Sequence, residues 1–98
     1  MRVIKDISEL YNIIQPDFLI KIIKEMCYGN KFNLNSKNWS DLGMDELDIV
    51  EMIMEMEKEY NISISDNMLD DIDNMGFKEF YSNLTLVKRN NVLEKLGI

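Results

Sequence analysis

Residues 41–52 read DLGMDELDIVEM. Asp41, Asp45, Glu46, Asp48 and Glu51 crowd this run, and carboxylates at such spacing can do four things. They can pass protons, hold a hard cation, cap a helix or attract a basic surface. The rest of the chain narrows the choice. It has no His and a single Cys, Cys27, so Ser-His-Asp triads and Cys-His dyads are excluded and zinc lacks its usual ligands. General acid and base roles for Asp45, Glu46 and Asp48 need a cleft, which an exposed helix face in so small a domain does not supply. No enzyme activity is expected.

Calcium fares no better. In DDIDNMGFKEFYS, Asp71 and Asp73 are two apart and Gly76 stands sixth, but Met75 and Ser82 hold the fifth and twelfth places, where ligands are required. No metal site is predicted. Nucleic-acid binding by the central face is opposed by its charge. Capping and electrostatic attraction remain.

The elements that position these acids follow from hydrophobic spacing. The chain has 98 residues, 46% of them hydrophobic and 30% charged, with one Pro and four Gly. That is one small domain, and the scarcity of turn formers favours helices over many strands. A first helix is predicted over residues 6–14, capped by Asp6, with Ile7, Leu10, Tyr11 and Ile14 on one face. Pro16 and Asp17 suit the first turn of a second helix, whose stripe is Phe18, Ile22, Ile23, Met26 and Cys27 and whose end is Gly29 and Asn30. Residues 30–41, rich in Asn, read as a loop from which Phe32, Leu34 and Trp39 dip toward the core. A strongly periodic helix then runs from Asp45 to about Tyr60. ISISD reads as a loop with Ser65 or Asp66 as cap. Short helices follow over Asn67–Ile72 and Met75–Asn83, and a last one near Val92–Leu96.

Cys27 lies among apolar residues and reads as a small buried hydrophobe, with no partner for a disulfide. No apolar run approaches the roughly 20 residues of a membrane span, and MRVIKDISEL lacks the apolar block of an export signal. The expected location is cytoplasmic. On that reading the sequons at Asn38, Asn61 and Asn83 carry no sugar.

The net charge is -7, and its distribution is uneven. Residues 41–73 hold 12 of the 18 acids and one base, Lys58, whereas each flanking segment has a small excess of bases. At about 100° per residue, Asp48, Glu51, Glu55 and Glu59 fall on one narrow stripe of the central helix. Like charges at such spacing repel by about 0.2–0.5 kcal/mol per pair. A helix shaped for stability alone would interleave Lys. Ile49, Met52, Ile53, Met56 and Tyr60 form the opposite, core-facing arc, and Leu47 and Met54 lie at its edge or outside it. Two readings stay open. The stripe is a solvated face, or it is a docking surface on which the acids steer a basic partner and Leu47 and Met54 supply apolar contact.

The stretch WSDLGMDELDIVEMIMEMEKEYNISISD resembles the acyl carrier protein family, in which D-L-G-x-D-S-L opens the second bundle helix and an I-x-D element follows it. Asp41, Leu42, Gly43, Asp45 and Leu47 match that motif, and Asp48, Val50, Glu51, Met54 and Glu57 are of the family's residue types. Ile64, Asp66, Ile72 and Tyr81 suit the later elements. The resemblance implies an all-α fold, a four-helix carrier bundle over residues 16–84, with an extra N-terminal helix in 1–15 and a C-terminal extension in 85–98. It also implies a carrier, not an enzyme. Its partners would be proteins with a basic surface, such as carrier-dependent enzymes, and its docking residues Asp45, Glu46, Leu47, Asp48, Glu51, Met54 and Glu55.

The departure is Glu46, which stands where the family has the Ser that receives phosphopantetheine. A phosphodiester needs a hydroxyl to attack the phosphoanhydride, and a carboxylate cannot form that stable ester. Ser40 lies six residues earlier and Ser65 follows the helix, so neither replaces it. No cofactor is therefore expected, and the chain reads as a carrier-like interaction module. The alternatives are a working acyl or peptidyl carrier modified elsewhere, and a structural subunit of a fixed assembly. Glu46 also has a purely structural role open to it, since a carboxylate in the first helical turn offsets the exposed N–H groups.

Overall fold

The computed structural model describes residues 2–27 and 32–95, with side chains as far as residue 88. A helical bundle is joined by one short parallel ladder. The order is β1 (Arg2–Ile4), α1 (Ile7–Ile13), α2 (Pro16–Met26), a 3₁₀ turn (Trp39–Leu42), α3 (Glu46–Tyr60), β2 (Ile62–Ile64) and α4 (Asp66–Lys95). Among the described residues no helix is long and apolar enough to cross a membrane.

Local signals account for the helix ends. Asp6 Oδ1 accepts the Glu9 N–H at 3.1 Å and caps α1. Pro16 opens α2, where its missing N–H costs nothing. α3 ends at Asn61, which adopts the left-handed conformation (φ 53°) and closes the last turn. Ser65 Oγ accepts the Met68 N–H at 3.3 Å at the head of α4.

Several expectations need correction. ISISD is not a plain loop, because Ile62–Ile64 pairs in parallel with Arg2–Ile4. The partners lie some sixty residues apart, and runs of three residues carry no usable periodicity. The helix expected over Met75–Asn83 is interrupted at Gly76, whose φ of 80° and ψ of 168° break α4, and the helix then runs on to Lys95. The separate helix near Val92–Leu96 is, as far as Lys95, a continuation of it. Leu34 does not reach the core and stays 48% exposed. The expected end of α2 at Gly29 and Asn30 lies outside the described residues.

The core gathers one face from every element. Ile22, Trp39, Leu42, Ile49, Ile53, Met56, Ile64, Ile72 and Phe80, expected in the core from the inward helix faces and the carrier-like loop, are buried. Phe18 is only half-buried, and Leu19 is fully buried instead, so α2 is turned slightly from the expected stripe. Trp39 anchors the centre. Its Nε1–H donates to the Ile72 carbonyl at 2.9 Å, and its rings pack at 5.6 Å from Phe77 and 5.9 Å from Phe80. Cys27 is buried and free, and its thiol donates to the Leu42 carbonyl at 3.2 Å.

Candidate functional site

The 3₁₀ turn and the head of α3 are built as two consecutive caps. Asn38 and Asp41 exchange side chain and backbone across the first, with the Asn38 N–H on Asp41 Oδ2 at 3.0 Å. Gly43 follows in the left-handed region (φ 78°) and reverses the chain. Its N–H donates to the Ser40 carbonyl and that of Met44 to the Trp39 carbonyl, at 3.0 and 3.1 Å. Asp45 and Asp48 then form a second box. The Asp48 N–H donates to Asp45 Oδ1 at 2.9 Å, and the Asp45 N–H donates to Asp48 Oδ2 at 3.1 Å. This explains the DLGMDELD run physically. Asp41, Asp45 and Asp48 close turns, and Gly43 supplies the positive φ between them.

The two boxes leave Glu46 over. It is the first residue of α3 and exposed, and among the described residues no side-chain hydrogen bond holds it. It borders a shallow depression of about 300 Å³ shared with Asn38, Trp39, Ser40, Met44, Asp45, Ile49 and Asp73. Ser40 therefore comes into the neighbourhood of Glu46, although six residues separate them in sequence. At the helix start itself the side chain is a carboxylate and not a hydroxyl. Among the described residues no group of three or more His, Cys, Asp or Glu side chains is placed to hold a metal ion.

Down the outer face of α3, Leu47 is 64% exposed and Met54 is 59% exposed, with Glu51, Glu55 and Glu59 exposed around them. Among the described residues neither Glu51 nor Glu55 has an ion-pair partner. Asp48 is half-buried and its carboxylate is engaged in the cap, so it is less accessible to a partner than the stripe alone suggests. Glu57 turns the other way, and its Oε2 accepts the Ile64 N–H at 2.9 Å, which ties α3 to β2. Spacing along α3 carries no signal for this contact. At the far end of the face, Met54, Glu55, Glu57, Lys58, Asn61 and Ile62 line a second open depression of about 590 Å³.

Two groups near these elements have displaced acidities. Burial pushes the Cys27 thiol up, with a smaller contribution from the Asp48 charge. Burial also raises the Tyr11 hydroxyl, against the hydrogen bond from Asn83, which lowers it.

Residues 17–76 match the family described as phosphopantetheine attachment site. The chain is also 33% identical over 72 residues to a protein of Schizosaccharomyces pombe described as a mitochondrial acyl carrier protein. That match spans 67% of this chain and 64% of the relative, so the chain covers less than two thirds of that protein's length. No solved structure matches. Proteins of this family are carriers that work with partner enzymes and are not enzymes themselves. The match covers α2, the double-capped turn, α3, β2 and the first part of α4, and the chain is a member of the phosphopantetheine attachment site family of acyl carrier domains.

Proposed function

We propose that the chain is a carrier-fold interaction module that carries no phosphopantetheine at Glu46 and docks a basic protein surface through the outer face of α3. The observation that supports docking is the pairing of exposed Leu47 and Met54 with exposed Glu51 and Glu55, which have no ion-pair partner among the described residues. A helix face that leaves two large apolar side chains in water beside repelling charges gains nothing in stability from doing so. A basic, partly apolar partner would relieve both. Asp45 and Glu46 add charge at the head of the face, and Asp48 contributes mainly through the cap.

Phosphopantetheine does not fit the helix start, because the side chain there has no hydroxyl. With Asp45 and Asp48 already closing the cap, Glu46 stands exposed in the first turn, with no hydrogen bond to its side chain among the described residues. One other reading has an observation behind it. Ser40 shares the Glu46 depression, and a carrier modified there would be a working one. The proposal keeps a cytoplasmic setting, whereas the fission-yeast relative is described as mitochondrial.

The docking claim is tested by kinetics on a partner isolated by cross-linking. Reversing Glu51 and Glu55 to Lys should leave the helical signal intact and slow association, and added salt should slow the wild type. Association that ignores both changes removes α3 as the docking face.

A further inference from the structure

The N-terminal segment lies outside the matched residues 17–76, yet it is fastened to every element that shapes the far end of α3. β1 pairs with β2, and Ile4 is fully buried. Tyr11 packs on Phe80 at 5.5 Å, donates its O–H to Met75 Sδ at 3.4 Å and accepts from Asn83 Nδ2 at 3.2 Å. It therefore bridges the break at Gly76. Lys88 Nζ donates to the Asn12 carbonyl at 2.6 Å, and the Gln15 N–H donates to the hydroxyl of Tyr60, the last residue of α3, at 3.0 Å.

β2 is the weak member of this arrangement. The Ile64 N–H turns to Glu57 on α3, so by the alternation of a strand it is Ser63 whose backbone turns to β1. A ladder of two three-residue strands has little stability of its own. What keeps β2 in place is the burial of its own Ile62 and Ile64, with Ile4 packed on one side and Glu57 bonded on the other. Asn61 and Ile62 in turn form one wall of the depression whose other wall is Met54, Glu55 and Lys58.

We propose that residues 2–14 act as a clasp that sets the position of residues 62–75, and through Ile62 the shape of the depression at the end of α3. Release of β1 from β2 frees that segment while α2, α3 and the second part of α4 stay folded. The depression then changes form. The clasp rests on the contacts above, and any use of the depression by a partner rests on the docking reading of α3.

Hydrogen exchange measured by mass spectrometry on the full chain tests the clasp. Two changes act in opposite directions. Ile4→Ala weakens the seat of β1. The pair Val3→Cys and Ser63→Cys places two thiols on directly opposed residues, about 4.8 Å apart between neighbouring strands, inside the range a disulfide spans. Ile4→Ala should speed exchange of residues 62–75 by at least about tenfold, with residues 49–56 within about threefold of wild type. The oxidised pair should slow the same segment, and reduction should reverse it. Equal acceleration of 49–56, or a cysteine pair that does not cross-link or has no local effect, overturns the clasp. Exchange reports nothing about a partner, so failure of the docking reading leaves this result standing and failure of the clasp leaves docking untouched.

Discussion

Replacing Gly76 by Ala should destabilise the protein far more than one added methyl suggests. Gly76 sits at φ 80° and ψ 168°, a region open to glycine and closed to other residues, and forcing a side chain there costs about 1–3 kcal/mol. Space is also short. A Cβ at this position would lie 2.8 Å from the Lys37 carbonyl oxygen and 3.3 Å from Asn38 Oδ1. The first contact is with backbone, so it cannot be relieved by rotating a side chain. Moving that backbone puts at risk the Lys78 N–H bond to the same carbonyl, at 3.2 Å, worth about 1 kcal/mol. The total is about 2–4 kcal/mol.

Gly43 is the control. It too has a positive φ, 78°, with ψ 17°, but in the ordinary left-handed region, where Ala costs about 1–2 kcal/mol. Urea unfolding followed by the fluorescence of Trp39, the single Trp, reports both variants on one scale. Gly76→Ala should lower the unfolding free energy more than Gly43→Ala. A Gly76→Ala protein within about 0.5 kcal/mol of wild type, the scale of a neutral surface change, would refute the close approach of α4 to residues 37 and 38.

Further outcomes follow from the same structure. Ile53→Ala removes a buried α3 side chain and should cost about 2–5 kcal/mol in the same urea assay. Asp45→Ala breaks the cap and leaves the Asp48 N–H without its side-chain acceptor, so it should cost about 0.5–2 kcal/mol, whereas Glu46→Ala should change stability by less than about 1 kcal/mol. Tyr11 has a raised pKa in the folded state. Above about pH 10, the ordinary tyrosine value, the unfolded chain releases this proton before the folded one does, so the stability is present below that pH and falls as pH rises above it. Thermal melts in alkaline buffer should show this fall, and Tyr11→Phe should make it shallower.

The fold was readable where spacing and caps agree. Asp6, Pro16 and the Asp45–Tyr60 periodicity mark helix ends that the structure places within a residue or two. What local spacing could not reach was pairing at a distance. β1 and β2 are too short for a pattern, and their meeting depends on Ile4 finding the core beside Ile62 and Ile64. Leu34 departs from expectation because a loop without period gives no face to assign. At the site, the exposure of Leu47 and Met54 followed from their angle on α3. The double cap does not, because helical angle sorts Asp45 and Asp48 by face and says nothing of their bonds to the backbone. Reading Asp45 and Asp48 three apart as a reciprocal box would have shown that Asp48 is engaged and Glu46 is left over.

The central claim concerns Glu46, and intact mass after incubation with coenzyme A and a broad-specificity phosphopantetheinyl transferase tests it directly. The wild type should keep its mass, and Glu46→Ser, which restores a hydroxyl at the start of α3 between Asp45 and Leu47, should gain one phosphopantetheine. An adduct on the wild type, mapped to Ser40 or to any other residue, would contradict the account and identify a working carrier.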